Sequence, residues 1–306
     1  MLQVSRLRVF VEVAKQGSIS AAAEELSYTQ SAVSQQIAAL EAETGVTLIE
    51  RLPRGVRLTT AGATLLSHAE GILGRLAAAE ADMEAIAGLR GGQLRMASFP
   101  TAGATLMPLA IALFRAQHPE VELSLAEGEP EEIAPRLFAG EFDIALLFEF
   151  EATSDSLTAD LVRQPLFEDP MFLALPADHP LARRRTLRLS DLRAEAWVQT
   201  SSSSPCARHV VRSCHGAGFD PIVSFESDDY QTVQGLVAAG VGVALIPKLA
   251  LAAGRDDIAI RALSPSSPVR NVIAATPEDS RLTPAAAGMG AIMATVAQRF
   301  AGPGAP

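Results

Sequence analysis

Two short helical patterns lie on either side of Ser27, Tyr28 and Thr29, too close together for anything but a tight helical corner. That corner constrains the start of the chain more than any other feature. Thr29 stands where its hydroxyl can accept from the free N–H groups of the next helix's first turn. Val33, Ile37 and Leu40 then recur at helical spacing and must face a core. The opposite side shows Ser31, Ser34, Gln35 and Ala38, flanked by Gln30 and Gln36, so it is polar, short and uncharged. A DNA major groove accepts such a face: Gln can pair with an adenine edge, Ser reaches several bases, and a small Ala lies against a thymine methyl. Corner, cap, stripe and outer face together read as a helix-turn-helix. The alternative is an ordinary corner in an all-α domain.

The flanking residues favour the first reading. Residues 5–15 form a helix whose stripe, Leu7, Phe10, Val11 and Ala14, is placed to close the core under Leu26, Val33 and Ile37. Gly45 is a stop for the recognition helix. Residues 47–50 and 56–59 are short strands around a turn made by Pro53 and Gly55, a wing that carries Arg51, Arg54 and Arg57. Arginines there suit phosphate or minor-groove contacts; for any single one, a solvated hairpin residue is the alternative. A net charge of −10 seems to exclude nucleic acid. Yet residues 1–60 hold six basic and six acidic side chains, so all the excess acid lies beyond them. A neutral module with a local basic cluster binds DNA weakly as a monomer, and with strong salt dependence.

Over some sixty contiguous residues the chain resembles the LysR-type transcriptional regulators. The resemblance rests on Phe10, Val11 and Ala14; Gly17 and Ser18; Ala21, Ala22 and Ala23; Leu26; Gln30, Ser31, Ala32, Val33 and Ser34; Ile37, Leu40 and Glu41; Gly45 and Val46; Leu48, Ile49, Glu50 and Arg51; and Leu58, Thr59, Thr60, Ala61 and Gly62. Many members carry a proline where this chain has Ser31, which fits the same helical turn.

Residues 60–88 read as one helix about 40 Å long. Leu65, Ala69, Ile72, Leu76, Ala79, Met83 and Ile86 follow at alternating steps of four and three, a 3.5-residue repeat that favours helix pairing. The expected result is a homodimer that presents two recognition helices to two half-sites; a lone helix lying on its own domain is the alternative. Glycines between 88 and 92 break the helix. The organisation is therefore a winged helix-turn-helix over residues 1–60, a dimerising linker helix over 61–90 and a larger domain over 91–306.

That last part alternates strands and helices, so the fold is α/β overall. Strands at 93–97, 121–126 and 143–148 enclose helices at 103–117 and 131–139, which predicts a parallel sheet covered by helices. A second set runs from 161 to 262, with a helix at 205–216. A late strand at 269–275 returns to the first lobe, a last helix spans 284–300, and 301–306 is expected to be disordered. Lobe I is assigned to 91–163 and 268–306, and lobe II to 164–267. The resemblance, carried here by residues 237–247, implies a two-lobed effector domain similar to periplasmic binding proteins, with a small molecule between the lobes.

Open α/β sheets bind ligands beyond the carboxyl ends of their strands. Ser98, Phe99 and Thr101 follow the first strand, and Thr200, Ser201 and Ser202 occupy the matching corner of lobe II; the resemblance implies that these corners line the cleft. Simple helix capping is the alternative for each. Phe148 and Glu149 at the hinge and Ser227 are further candidates. Glu127, Glu129, Glu131, Glu132, Glu149 and Glu151 would favour a neutral or cationic effector if they face the cleft, and are otherwise solvated. Cys206 and Cys214 raise a redox alternative, because peroxide-sensing members of the family bridge two cysteines in this region, with a spacing one residue longer. Arg208, His209, Arg212 and His215 could lower a thiol pKa. On one helix, however, the pair is about 12 Å apart, too far for a disulfide without unfolding, and buried inert thiols are the favoured reading.

Composition bounds the rest. With 306 residues, 48% apolar and 20% charged, the chain has room for two or three globular domains. It shows no long apolar run and no leader pattern, and two cysteines make no disulfide framework, so a cytoplasmic protein with no membrane partner is expected. No hydrolase elbow, P-loop or metal-binding helix motif occurs, and the five histidines are scattered; no enzyme activity, cofactor or metal is expected. The resemblance implies double-stranded DNA, a small-molecule effector and a homodimer or homotetramer, with RNA polymerase as a further candidate partner. The rival from another class is a solute-binding transport component, which the two-lobed half alone would suit.

Overall fold

The computed structural model describes residues 2–52, 55–86, 92–150, 161–265, 267–277 and 282–301. Arg54, Glu151, most of the expected glycine joint at 88–92 and the tail beyond Ala301 lie outside the described residues.

Helices α1 (Val4–Gln16), α2 (Ile19–Glu25) and α3 (Gln30–Thr44) and strands β1 (Ile49–Arg51) and β2 (Val56–Leu58) form the first domain. The corner is set by three local features. Ser18 Oγ accepts from the Ala21 amide at 3.4 Å and Thr29 Oγ1 from the Ala32 amide at 3.2 Å. Between the two caps, Ser27 adopts φ +56°, the left-handed conformation that turns the chain. Leu7, Phe10, Val33, Ile37, Leu40 and Leu48 are buried together, each stabilising the fold by about 2 kcal/mol. The stripe of α1 differs from the expected one: Val9 and Val13 are buried, whereas Val11 is only partly so and packs at the margin. The reason is that α3 and the following helix flank α1, which rotates and widens its buried arc.

That following helix, α4 (Thr60–Ile86), is continuous over 27 residues. Its stripe divides. Leu65 and Ala69 complete the first domain's core, whereas Ile72 and Met83 are bare, at 43% and 60% exposure. Farther along, Gly71 and Gly74 lie against the turn at residues 139–141, so closely that an added Cβ would sit 2.9 Å from Ala139 and 3.0 Å from the Gly140 carbonyl.

The larger domain begins β3 (Gln93–Ser98), α5 (Pro100–Gly103), α6 (Leu106–Gln117), β4 (Glu122–Glu127), α7 (Pro130–Phe138), β5 (Ile144–Glu149). The single helix expected at 103–117 is two helices. Pro108 cannot donate to the Ala104 carbonyl and its ring crowds that carbonyl, so α5 cannot run on into α6. The chain continues through β6 (Leu161–Pro176), β7 (Thr186–Leu187), β8 (Ala196–Gln199), α8 (Pro205–Gly216), β9 (Ile222–Glu226), α9 (Tyr230–Ala238), β10 (Ala244–Pro247), a 3-10 turn (Lys248–Ala253), β11 (Ile258–Leu263), β12 (Val269–Pro277) and α10 (Pro284–Ala297).

The sheet is mixed, not parallel throughout. β4, β3 and β5 pair in parallel, but β12 lies antiparallel between β5 and β6. Residues 161–170 of β6 pair with β12, while 171–176 pair with β10 and β11, all antiparallel. A chain that leaves one lobe along a strand and returns along another must traverse in opposite directions, so the connecting strands cannot be parallel. One strand, β6, thus serves both lobes, with its change of partner at Pro170 and Met171.

Candidate functional site

Two surfaces bear on the residues singled out above. On α3, Ser31, Gln35 and Ala38 are exposed and Ser34 and Gln36 half-buried, so the uncharged face is free. Gln30 Nε2 donates to Ser20 Oγ on α2, which orients Gln30 across the corner. Tyr28, 52% exposed at the turn, adds an aromatic ring that the sequence reading passed over. The wing is tied to this face by contacts distant in sequence. Glu41, late in α3, accepts from the Leu48 amide at 2.8 Å and the Ile49 amide at 3.3 Å. The Val56 amide donates to the Gly17 carbonyl at 2.9 Å. Gly55 has φ +89°, and a Cβ there would lie 2.5 Å from the same carbonyl oxygen, so only glycine fits. Arg51 is exposed, whereas Arg57 is paired across the wing with Glu50 Oε2 at 2.6 Å.

The second surface is a cavity of about 590 Å³ between the lobes. Lobe I supplies Pro100, Thr101, Ala104, Thr105 and Glu127; lobe II supplies Asp228, Asp229, Tyr230 and Gln231 from the start of α9, and Leu249, Ala250, Ala252 and Ala253 from the 3-10 turn. Behind it lies Arg270 of β12, buried with 1% exposure. Its guanidinium donates to Asp169 Oδ2 at 2.5 Å and Thr101 Oγ1 at 3.0 Å, and lies 3.9 Å from Cys206 Sγ. It also stacks 4.6 Å from the Phe148 centroid and 5.1 Å from that of Phe99. Asp169 Oδ1 accepts from the Leu249 amide at 3.1 Å. One ion pair therefore joins β6, β12, α5, α8 and the 3-10 turn, and so both lobes. Burial would favour loss of the Arg270 proton, but the Asp169 carboxylate outweighs it and raises the Arg270 pKa.

Of the nine effector candidates, Thr101 alone lines this cavity. Ser98 is buried with its hydroxyl donated to the Phe99 carbonyl at 3.1 Å, and Phe99 and Phe148 are core residues in edge contact at 4.9 Å. Glu149 pairs with Arg163 at 3.5 Å. Thr200 hydrogen-bonds to Ser204, the cap of α8. The Ser201 amide donates to Asp228 at 2.8 Å and the Ser202 amide to Glu226 at 3.4 Å; Ser227 Oγ accepts from the Asp229 amide at 3.3 Å. These residues build the strand-to-helix corners, and most of the side chains that line the space come from other positions: Glu127 at the end of β4, Asp228 to Gln231 at the start of α9, and the 3-10 turn. Arg270 and Asp169 also escaped the sequence reading. The available signal was a lone charge, Arg270, in an otherwise uncharged strand pattern at 269–277; Asp169, beside Glu168 in the middle of 161–176, gave none.

Among the acidic residues, Glu129 is distinctive. Burial pushes its pKa up to about 7, with Glu131, Asp228 and Glu132 adding to the rise and Arg270 opposing it. Its Oε2 is buried and has no hydrogen-bond partner among the described residues. Glu131 is paired across the lobes with Arg208 of α8. Both thiols are buried: burial raises the Cys206 pKa against the pull of Arg270, and raises that of Cys214 to about 12. They belong to different cores, Cys206 to that of lobe I and Cys214 to that of lobe II.

Comparison with known proteins adds to this geometry. Residues 4–63 match the bacterial regulatory helix-turn-helix protein, lysR family, and residues 87–298 match the LysR substrate binding domain. Among curated proteins the chain is 32% identical to the transcriptional dual regulator GltC of Bacillus subtilis, over 81% of each chain. It is 30% identical to the DNA-binding transcriptional dual regulator OxyR of Escherichia coli, over 82% of this chain and 80% of that one. Full-length CbnR complexed with its target DNA has the same fold, with a TM-score of 0.68, 24% identity and coverage of 98% of this chain and 100% of that one. An uncharged helical face braced by a wing, followed by a two-lobed α/β domain with a cavity between its lobes, is thus matched in both halves by one family: the chain belongs to the LysR family of DNA-binding transcriptional regulators.

Proposed function

We propose that α3 enters the major groove and reads bases with Gln30, Ser31, Ser34 and Gln35, while Arg51, Arg54 and Arg57 of the wing hold the phosphate backbone or the minor groove. The observation that carries this is the bracing of the wing onto α3 by Glu41, which sets both elements on one surface before DNA arrives. The functional units are residues 1–60, 61–90 and 91–306. The bare Ile72 and Met83 on α4 pair with the same stripe of a second copy, giving a dimer that spans two half-sites. Exposed Leu109 and Leu113 on α6, Leu125 on β4, and Ile222 and Phe225 on β9 supply further self-association surface for a homotetramer. A small-molecule effector in the interlobe cavity changes lobe closure, and α4, seated on the turn at 139–141, carries that change towards the DNA-binding pair. RNA polymerase is the partner through which a bound tetramer acts.

This reading is non-enzymatic and cytoplasmic. Among the described residues no helix is long and apolar enough to cross a membrane, and no group of three or more His, Cys, Asp or Glu could hold a metal. The thiol switch is not favoured, because burial keeps both sulfurs protonated near neutral pH. A transport role leaves the winged domain without a purpose.

Footprinting of the full chain on its upstream and neighbouring promoters tests the reading. The expected result is protection of two half-sites, lost in Gln35→Ala and Ser34→Ala proteins that remain dimeric by sedimentation. Equal affinity of the native chain for all duplexes at moderate salt would overturn it.

A further inference from the structure

The cavity is built by both lobes, and the chemistry of its wall limits what can occupy it. Its floor is apolar, made by Pro100, Ala104, Leu249 and Ala250, and its rim carries Glu127, Asp228 and Asp229; among the described residues no Lys, Arg or His lines it. The two neighbouring cations are already committed. Arg270 is locked behind Thr101 by Asp169, and Arg208 is held by Glu131 and the Ser203 carbonyl. Two of the rim carboxylates do structural work: Asp229 caps α9 through the Gln231 and Thr232 amides, and Asp228 takes the Ser201 amide. The amide and hydroxyl bonds that Asp229 accepts hold its pKa below the ordinary value. Glu127 has no such contact among the described residues, and lines the same cavity from lobe I. Beside Asp228 stands Glu129, whose buried Oε2 also lacks a partner.

Resting on the reading of this cavity as the effector site, we propose that the effector is a small organic cation, an amine or guanidinium with an apolar body, held between Glu127 of lobe I and Asp228 of lobe II. A carboxylate in the same place would meet three carboxylates with no cation among the described lining residues, an unfavourable placement. A cation relieves the repulsion between the two lobes' carboxylates, and so draws the lobes together as it binds. The apolar floor takes a short methylene chain, as a 590 Å³ space lined largely by carbon allows. Four groups around Glu129 set its charge: Arg270 on β12, Glu131 and Glu132 on α7, and Asp228 before α9. A cation at Asp228 favours the ionised form of Glu129, so amine binding takes up strength as pH rises through 7.

The test is calorimetric titration of the full chain with putrescine, agmatine and L-arginine as cationic probes, and with succinate and glutarate as anionic ones, alongside a footprint of the same preparation. At least one amine is expected to bind, about tenfold more weakly to Glu127→Gln and to Asp228→Asn, each of which removes one charge and keeps the side chain's shape. Binding is also expected to weaken at high salt, and neither diacid is expected to bind. A diacid that binds, and binds more tightly to Glu127→Gln, would overturn the proposal, as would failure of all three amines. Either failure beside an intact footprint removes the ligand class and leaves the regulator standing; absence of the footprint itself is the separate failure of the reading above.

Discussion

The DNA-binding face and the interlobe cavity are built in opposite ways. On α3 the residues that meet the ligand are adjacent in sequence, uncharged, and oriented by caps within a few residues of them, Ser18 and Thr29. In the cavity, Thr101 and Asp228 are far apart in sequence, and the ion pair that holds their lobes together joins Asp169 to Arg270 across 101 residues. A surface made by one helix keeps its shape as long as the helix stands. A space made by two lobes exists only while their long-range contacts hold, and can be opened or closed by a ligand.

That contrast is most sharply tested at Arg270. Arg270→Met strands the buried Asp169 carboxylate and should destabilise the larger domain by about 3–5 kcal/mol, while the double change with Asp169→Leu recovers most of the loss. In denaturant the first domain's transition is expected to stay in place; if both domains shift together, the two regions are not independent. The next largest effect is Glu129. Its folded pKa of about 7 lies above the ordinary carboxylate value of 4.5. The folded state therefore holds a proton that the unfolded chain has lost: stability is fully present below about pH 4.5, falls as pH rises, and has lost on the order of 3 kcal/mol above pH 7. Unfolding midpoints from pH 4 to 8 should show this fall, and Glu129→Gln should flatten it; an unchanged profile would refute the assignment.

Glu41 bears on the other side of the comparison. Glu41→Ala leaves the Leu48 and Ile49 amides without their acceptor and should cost about 1–3 kcal/mol, with operator affinity reduced more than non-specific affinity, because α3 and the wing lose their common frame. An equal reduction of both would show that the wing is positioned by β1 and β2 alone. The smallest effect on stability belongs to Arg57→Ala: its exposed pair with Glu50 is worth under about 1 kcal/mol. If Arg57 contacts phosphate, the salt dependence of DNA binding should nevertheless fall by about one charge.

The resemblance to a family, the helical corner, the Thr29 cap, the recognition stripe and the helix at Pro205–Gly216 were all legible in the residues, because each depends on spacing within a turn or two. Legibility failed where a second element intervened. Val11 and Ala14 had the right period, but α3 and α4 turned α1 so that Val9 and Val13 took the core. Ser98 and Thr200 had the chemistry of a ligand site, yet the Phe99 carbonyl took the first hydroxyl and the Ser204 hydroxyl the second.

By itself the sequence determined the helices and strands of the first domain, that the first 60 residues are electrically neutral, and that α3 offers serine and glutamine outward; these follow from composition, periodicity and capping, which are local. Tertiary structure alone decided that β6 is shared by two lobes, that Arg270 is locked by Asp169, and that Glu127 and Asp228 line one cavity. Such pairings are set by how whole elements pack, and no spacing along the chain records them.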